Sequence, residues 1–223
     1  MTTLRYEIPT APVSQQASSD LKTALKSQVQ AIISNANIFL TGEVRVNIDW
    51  MVHDRIRYET DQAPDIDNII KPTLDAISGP SGVLIDDCQV QRINCGWIDS
   101  PDQTQQFSIE IDYFEDEMIP SREVLFVQFE NGLCFPFDKS LPESITKALV
   151  GHLVDRLAAR DTILQLTGSH RTSLHIMPIQ RFFHRTRIHG FPVVNYKVFL
   201  EPTDQRLANL NKALNSSGES GVF

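Results

Sequence analysis

The sequence predicts an α+β protein built from two regions. Some segments alternate apolar and polar residues, others repeat apolar residues at helical spacing, and an acidic joint near residue 116 is followed by a proline. The joint, Glu115–Glu117, separates a predicted N-terminal region, residues 1–115, from a predicted C-terminal α+β region, residues 116–215. We expect residues 216–223 to form a flexible tail.

The N-terminal region is predicted to follow the order β-α-β-α-β-β. Alternating apolar residues indicate the strands, and apolar residues every three or four positions indicate the helices. Asp20 is expected to cap the first helix, and the polar stretch His53–Pro64 to connect to the second. The strands are predicted at Leu4–Ile8, Glu43–Val52, Val90–Trp97 and Phe107–Tyr113, and the helices from Asp20 to Ser34 and from Asn68 to Ile77.

The C-terminal region is predicted to begin with a β-hairpin. Two alternating segments flank Asn131-Gly132, a pair that favours a tight turn between strands. A helix with a proline in its first turn is expected to follow. The predicted elements are strands Val124–Phe129, Leu133–Phe137, Leu174–Ile179 and Pro192–Leu200, and helices Pro142–Arg160, with Ile145, Leu149, Leu153 and Leu157 on its inner face, and Asp204–Leu214.

Composition and charge exclude several classes of protein. The chain has 20 Lys and Arg against 28 Asp and Glu, a formal charge of −8, whereas a protein that coats nucleic acid through bulk charge would be basic. No segment approaches the ~20 apolar residues of a membrane span, and the N-terminus lacks a secretory signal pattern. Three cysteines are too few for a disulfide framework, so we expect a soluble cytoplasmic protein.

The acid excess lies in the N-terminal region. Residues 1–115 carry 8 basic and 17 acidic side chains, so their net charge is 8 − 17 = −9. One segment concentrates these acids at regular spacing. Asp65 and Asp67 are two apart, so both carboxylates leave the same side of an extended chain. Asp67, Lys71 and Asp75 are four apart and share one edge of a helix.

A second acidic pair, Asp86-Asp87, follows a Gly-Pro-Ser-Gly turn that can return it to the first carboxylates. Gathered carboxylates repel one another unless a hard divalent cation such as Mg²⁺ lies among them. Such a cation can activate water and neutralise a phosphate, and Lys71 at the rim would stabilise developing charge. The same residues also suit a helix cap, an ion-pair ladder and a turn. Spacing alone leaves both interpretations open.

Together the two halves form the pattern D-x-D-N-x-x-K-x-x-x-D-A, a short loop, and then D-D-x-Q-V. It comprises Asp65, Asp67, Asn68, Lys71, Asp75, Ala76, Asp86, Asp87, Gln89 and Val90. This pattern resembles the RusA family of crossover-junction (Holliday junction) endodeoxyribonucleases. The resemblance covers about residues 1–115 and agrees with the predicted β-α-β-α-β-β order.

The resemblance implies a homodimer that binds four-way DNA junctions and nicks two strands symmetrically, in DNA recombination and repair. It implies Mg²⁺ as the cofactor, with Mn²⁺ as the alternative, and an origin similar to that of phage or prophage resolvases. By position, it implies that Asp65, Asp67 and Asp87 are metal-binding catalytic carboxylates, that Lys71 is catalytic, and that Asn68, Asp75 and Asp86 are supporting residues.

Cations that could hold DNA are predicted in the C-terminal region. Thr162–Leu200 contains no Asp or Glu and interleaves basic with aromatic residues, a composition that suits backbone contact and stacking on unpaired bases. A solvated basic face over a Phe-rich core, or a dimer interface, is the alternative. The predicted DNA-binding residues are Arg171, Arg181, Arg185, Arg187 and Lys197.

Three functional hypotheses follow. The leading one is a Mg²⁺-dependent, structure-selective endonuclease that resolves four-way or branched DNA junctions by paired phosphodiester hydrolysis. The second is a non-catalytic module that binds branched DNA. The third is a nuclease regulated by its C-terminal region, which would mask the acidic site or recruit a protein partner through residues 116–223.

Overall fold

Two four-stranded sheets organise the fold and confirm the predicted α+β class. The computed structural model describes residues 1–101 and 105–201. The predicted helix Asp204–Leu214 and the predicted tail, residues 216–223, lie outside the described residues. Among the described residues, no helix is both long and apolar enough to cross a membrane.

The first sheet belongs to the N-terminal region and has the order β1-β5-β3-β4. Strands β3 and β4 pair in parallel, and the other neighbours are antiparallel. Helix α1 packs against α3 and β1, and α3 also contacts β4. The elements are β1 (Thr2–Ile8), α1 (Ser19–Ile33), β2 (Phe39–Leu40), β3 (Val44–Val52), α2 (Asp54–Glu59), α3 (Ile66–Ile77), β4 (Val90–Asp99) and β5 (Gln106–Tyr113).

The burial of this region follows its sequence pattern. Every second residue of β3 is buried, ending in fully buried Trp50 and Val52, so one face of this strand is covered by the core. Helix α1 buries Leu25, Val29 and Ile33 at helical spacing. The predicted strands and both predicted helices are therefore present, with shifts of a few residues at their ends.

Two details of the N-terminal prediction were wrong. Ser18, not Asp20, caps α1, since its hydroxyl accepts a hydrogen bond from the Leu21 N–H at 3.4 Å. The stretch predicted as a connection contains the short helix α2, capped by a ring nitrogen of His53 that accepts from the Arg55 N–H. Because α2 buries no residue, it has no apolar stripe that the sequence could reveal.

The second sheet belongs to the C-terminal region and has the order β10-β7-β8-β9. The predicted hairpin is confirmed, because β7 and β8 pair antiparallel around Asn131 and Gly132, whose φ angles are 56° and 72°. The elements are β6 (Met118–Ile119), β7 (Val124–Gln128), β8 (Leu133–Asp138), α4 (Glu143–Thr167), α5 (His170–Ser173), β9 (Phe183–His184), β10 (Val193–Asn195) and α6 (Tyr196–Leu200).

Two of the four residues predicted on the inner face of α4 were wrong. Leu153 and Leu157 are buried, but Ile145 and Leu149 are 49% and 43% exposed. Thr146 and Val150, each one position further along, are buried instead. One residue along a helix corresponds to a rotation of about 100°. In the first turns of α4, the buried face is therefore rotated by about 100° from the face that carries Ile145 and Leu149. The helix also continues past Arg160 to Thr167.

Two strands predicted in the C-terminal region were also wrong. Leu174–Ile179 begins with a 3₁₀ turn, Leu174–Ile176, instead of a strand. In Pro192–Leu200 only Val193–Asn195 is extended, because the Asn195 side chain accepts a hydrogen bond from the Lys197 N–H and starts α6. A short apolar run is compatible with either a strand or a helix. Here the Asn195 cap ends the strand and begins α6.

The two regions share a packed junction. Strand β6 pairs antiparallel with β2 of the N-terminal region. Phe39 and Ile85 of the N-terminal region lie in one apolar cluster with Phe126 and Phe191 of the C-terminal region. Arg122 adds a polar contact, since its guanidinium donates to the Gly82 carbonyl at 2.8 Å and to the Ser81 carbonyl at 3.1 Å. The loop after α3 is thus held by the C-terminal region.

Candidate active site

The N-terminus of α3 carries the first two motif carboxylates. Asp65 is the N-cap residue with extended backbone angles, and Asp67 lies in the first turn. The Asp65 side chain makes no capping hydrogen bond. Within the described part of the chain, neither carboxylate forms an ion pair or a side-chain hydrogen bond, and both residues are exposed. The helix-cap interpretation of these two acids is therefore not realised by their side chains.

Helix α3 begins two residues before its predicted start at Asn68, although it contains Pro72. The helix begins at Ile66, which puts Pro72 at its seventh residue, where a missing N–H leaves the carbonyl of Asn68 without its helical donor. The Gln15 N–H donates to that carbonyl at 2.7 Å. The loop before α1 thus satisfies the group that Pro72 cannot, and this contact lets α3 extend back to the motif carboxylates.

Lys71 joins the two halves of the motif. Its ammonium group donates to Asp75 Oδ1 at 2.6 Å and to Asp87 Oδ2 at 2.8 Å. Partial burial lowers the pKa of Lys71, but the hydrogen bonds and charges of Asp75 and Asp87 more than offset it, so the net pKa is raised. Lys71 is therefore a firmly protonated cation between two carboxylates.

The turn that carries Asp86 and Asp87 is fixed by a buried glutamine. Gln89 Oε1 accepts from the Ile85 and Asp86 N–H groups at 2.7 and 3.1 Å, while its amide nitrogen donates to the Leu40 and Gly42 carbonyls at 2.8 and 2.9 Å. Asp86 in turn accepts from the Cys88 N–H at 3.0 Å. Sequence reasoning assigned Gln89 no role, although its place in the motif was the available signal.

The C-terminal region reaches the same turn through Arg187. Its guanidinium donates to Asp86 Oδ1 at 3.2 Å from the 3₁₀ turn Arg185–Arg187. Asp86 is thus oriented by its own turn and by a residue 101 positions away. Asp86 therefore contacts Arg187, whereas Asp87, one position on, contacts Lys71.

The predicted DNA-binding cations do not form one free surface. Arg181 pairs with Glu43 at 2.7 Å, Arg187 with Asp86, and Lys197 with Glu130 at 2.8 Å. Arg171 and Arg185 are exposed and form no ion pair within the described residues. The interleaved aromatic residues pack inward, since Phe183 and Phe191 are buried. The Phe-rich core of the alternative interpretation is therefore present.

The donor chemistry of the motif fits a hard cation. Asp65, Asp67 and Asp87 offer only carboxylate oxygens, the ligand type that Mg²⁺ and Mn²⁺ take. In residues 1–101 and 105–201, no group of three or more His, Cys, Asp or Glu is arranged to hold a metal ion together. Instead, Lys71 balances Asp87, while the other two carboxylates face solvent.

Comparison with known proteins finds one family that matches the N-terminal region. Residues 12–112 match the family model described as endodeoxyribonuclease RusA. The match contains both halves of the motif and ends before the C-terminal sheet. No curated protein matches the chain. The enzymes of that family cut DNA within a strand. Residues 12–112 are therefore similar to the RusA family of endodeoxyribonucleases.

Proposed function

We propose that the chain is a divalent-metal-dependent endonuclease that resolves four-way or branched DNA junctions in recombination and repair. The family match supports an endonuclease that acts on junctions. One observation carries the assignment to this site: the ammonium group of Lys71, in the helix whose N-cap residue is Asp65, lies 2.8 Å from Asp87 Oδ2. The motif halves, separated by the loop after α3, thus meet at one place on the surface.

Asp65, Asp67 and Asp87 would hold the cation, Mg²⁺ or Mn²⁺. When bound, it would supply an activated water and neutralise charge on the scissile phosphodiester. Lys71 presents a fixed positive charge to the phosphate oxygens, where negative charge grows during hydrolysis. Asp75 holds the ammonium group of Lys71 from the other side, and Asp86 orders the turn that bears Asp87.

Paired cleavage requires two such sites, so we propose that the chain acts as a homodimer. A two-fold axis would present one site to each of two symmetry-related strands of a four-way junction. Analytical ultracentrifugation of the full chain tests this, and a dimer at micromolar concentration is the expected result. A strictly monomeric protein that still cuts both strands in one binding event would contradict it.

The decisive test is cleavage of a synthetic four-way junction. The wild type is expected to nick it with Mg²⁺ and not with EDTA, and Asp67→Asn is expected to bind it without nicking. Asp61→Asn is the matched control, because Asp61 is an exposed acid just before the motif. A wild type that binds junctions but never cuts them would instead support the non-catalytic binding module. Normal cleavage by Asp67→Asn would remove the assignment of this site.

The Arg187–Asp86 contact favours a second candidate, a nuclease regulated by its C-terminal region. Release of this contact should then change cleavage more than it changes stability. Arg187→Gln tests the idea in the full chain, because truncation would expose Phe39 and Ile85. Faster cleavage by Arg187→Gln would support masking of the site, and slower cleavage would support a positioning role for Arg187.

A further inference from the structure

We propose that a cleft between the two regions binds the phosphodiester backbone of one DNA strand beside the carboxylate turn. The cleft has a volume of about 440 Å³ and lies between α1, the end of α3 with its following loop, and the C-terminal region. Lys22, Lys26, Arg187 and His189 line it. The inference rests on the proposed nuclease function and assigns its substrate-binding surface.

One wall of the cleft is provided by α1. Lys22 and Lys26 are four residues apart, so they share one face of this helix. Lys22 donates one hydrogen bond to the Gln15 carbonyl at 3.2 Å, which leaves two of its three donors for a ligand. Lys26 is exposed, and within the described residues its side chain forms no ion pair. Neither lysine belongs to the predicted motif.

The opposite wall is provided by the C-terminal region. Arg187 hydrogen-bonds Asp86 through one nitrogen, and its guanidinium has further donors. His189 follows two residues later and is exposed. This wall fits closely on the loop after α3, because a Cβ added at Gly190 would lie 3.0 Å from Pro80 Cγ. The Arg122 hydrogen bonds to Ser81 and Gly82 fix the same loop.

Charge inside the cleft favours an anionic ligand. The lining has three cations, Lys22, Lys26 and Arg187, against two acids, Asp75 and Asp86, a formal charge of 3 − 2 = +1. Arg187 pairs with Asp86, so Lys22 and Lys26 are the cations of the lining that form no ion pair within the described residues. DNA affinity depends on such cations, and residues 1–115, with a net charge of −9, offer few others.

The position of the cleft connects it to the chemistry. Asp75 lines the cleft and accepts from Lys71, which also donates to Asp87. A strand that follows Lys26, Lys22 and the C-terminal wall would therefore run beside the Lys71–Asp87 pair. The C-terminal region would complete a binding surface that the RusA domain does not contain alone.

The test is binding of a fluorescent four-way junction to the full chain at several salt concentrations in EDTA. Each phosphate that a variant no longer neutralises makes the slope of log K against log salt shallower by about 0.9. We expect a change of at least that size for Lys26→Glu and about twice that for the double variant with Lys22→Glu. Lys139→Glu is the matched control, because Lys139 is exposed and lines a different groove.

Each outcome decides the proposal. Junction binding and cleavage by the wild type, with slopes unchanged in the lysine variants, would overturn the cleft and leave the nuclease assignment standing. No junction binding by the wild type would overturn both. Saturable binding of inorganic phosphate without junction binding would identify a free-phosphate site instead. Thermal melting checks the fold of each variant, and Lys26→Gln, which removes charge without reversing it, should shift the slope in the same direction.

Discussion

The two regions of the molecule differ in how far along the chain their functional contacts reach. In the N-terminal region, the pair that closes the motif, Lys71 and Asp87, is 16 residues apart. In the C-terminal region, Arg187 and Arg181 contact acids 101 and 138 residues away. A local pattern can therefore reveal the first set of contacts, whereas only the tertiary structure reveals the second.

The regions also differ in how their charges are used. Asp65 and Asp67 of the N-terminal region face solvent without a cation partner in the described residues. Two of the five predicted DNA-binding cations instead balance acids of the N-terminal region. Part of the C-terminal positive charge therefore pairs with acids of the N-terminal region, instead of forming the DNA-binding surface that the sequence predicted.

The largest expected effect concerns the motif itself. Asp87→Asn should slow junction cleavage by at least about 100-fold, because loss of a metal ligand should cost more than loss of an outer-shell partner, about 10–100-fold. Asp75→Asn, which removes only the second partner of Lys71, should cost about 10-fold. Single-turnover cleavage rates measure both. Equal rates for the two variants would contradict the assignment of Asp87 as a metal ligand and of Asp75 as a supporting residue.

Gln89→Ala should be the most destabilising change around the site. It leaves four backbone groups without their side-chain partner in a buried place, and each such group costs about 1–3 kcal/mol. We expect the free energy of unfolding to fall by about 3 kcal/mol or more in urea titrations. Gln91→Ala, at an exposed position two residues later, should change it by less than about 0.5 kcal/mol.

Much of the N-terminal region could be predicted from the sequence. The N-terminal strands and helices were correct because alternation and helical spacing coincide with burial there, as in β3 and α1. Spacing along one helix and a turn predicted that Asp86-Asp87 would return toward Asp65 and Asp67, and the contact that Asp87 makes is with Lys71 of the same helix. The local contacts of Gln89, with the N–H groups of Ile85 and Asp86, lie within the motif, but its contacts with Leu40 and Gly42, almost 50 residues upstream, could not be predicted.

The C-terminal region was harder to predict for a physical reason. Its strands β9 and β10 have only two and three residues, too few to show a period, and their pairing depends on distant neighbours. In α4, the inner face is set by the sheet on which the helix packs, so Val150 is buried while the larger Leu149 is exposed. The apolar residues of α4 alone therefore do not show which face of the helix is buried.

A smaller loss of stability is expected when the contact between the two regions of the protein is weakened. Arg122→Leu removes hydrogen bonds from a charged donor to the Gly82 and Ser81 carbonyls, and such bonds contribute about 1.5–3 kcal/mol. The free energy of unfolding should fall by about 2 kcal/mol. Arg92→Leu is the control, since Arg92 is exposed on β4 and forms no ion pair within the described residues. An equal loss in both variants would show that Arg122 does not join the regions.

The smallest effect is expected at the Arg181–Glu43 pair. Both side chains are largely exposed, so Arg181→Gln should reduce the free energy of unfolding by less than about 1 kcal/mol, and salt should remove the difference. Urea titrations at low and high salt measure this. A large, salt-independent loss would mean that this ion pair, and not Arg122 with the apolar cluster, fastens the C-terminal region.

Metal binding shows whether the motif carboxylates Asp65, Asp67 and Asp87 form the divalent-metal site that we propose. Free Mn²⁺ can be followed by electron paramagnetic resonance as the full chain is titrated. The wild type and Asp61→Asn should bind with equal affinity, and Asp67→Asn should bind at least about 10-fold more weakly. Equal Mn²⁺ binding by all three proteins, or no binding by the wild type, would contradict a metal site at these carboxylates.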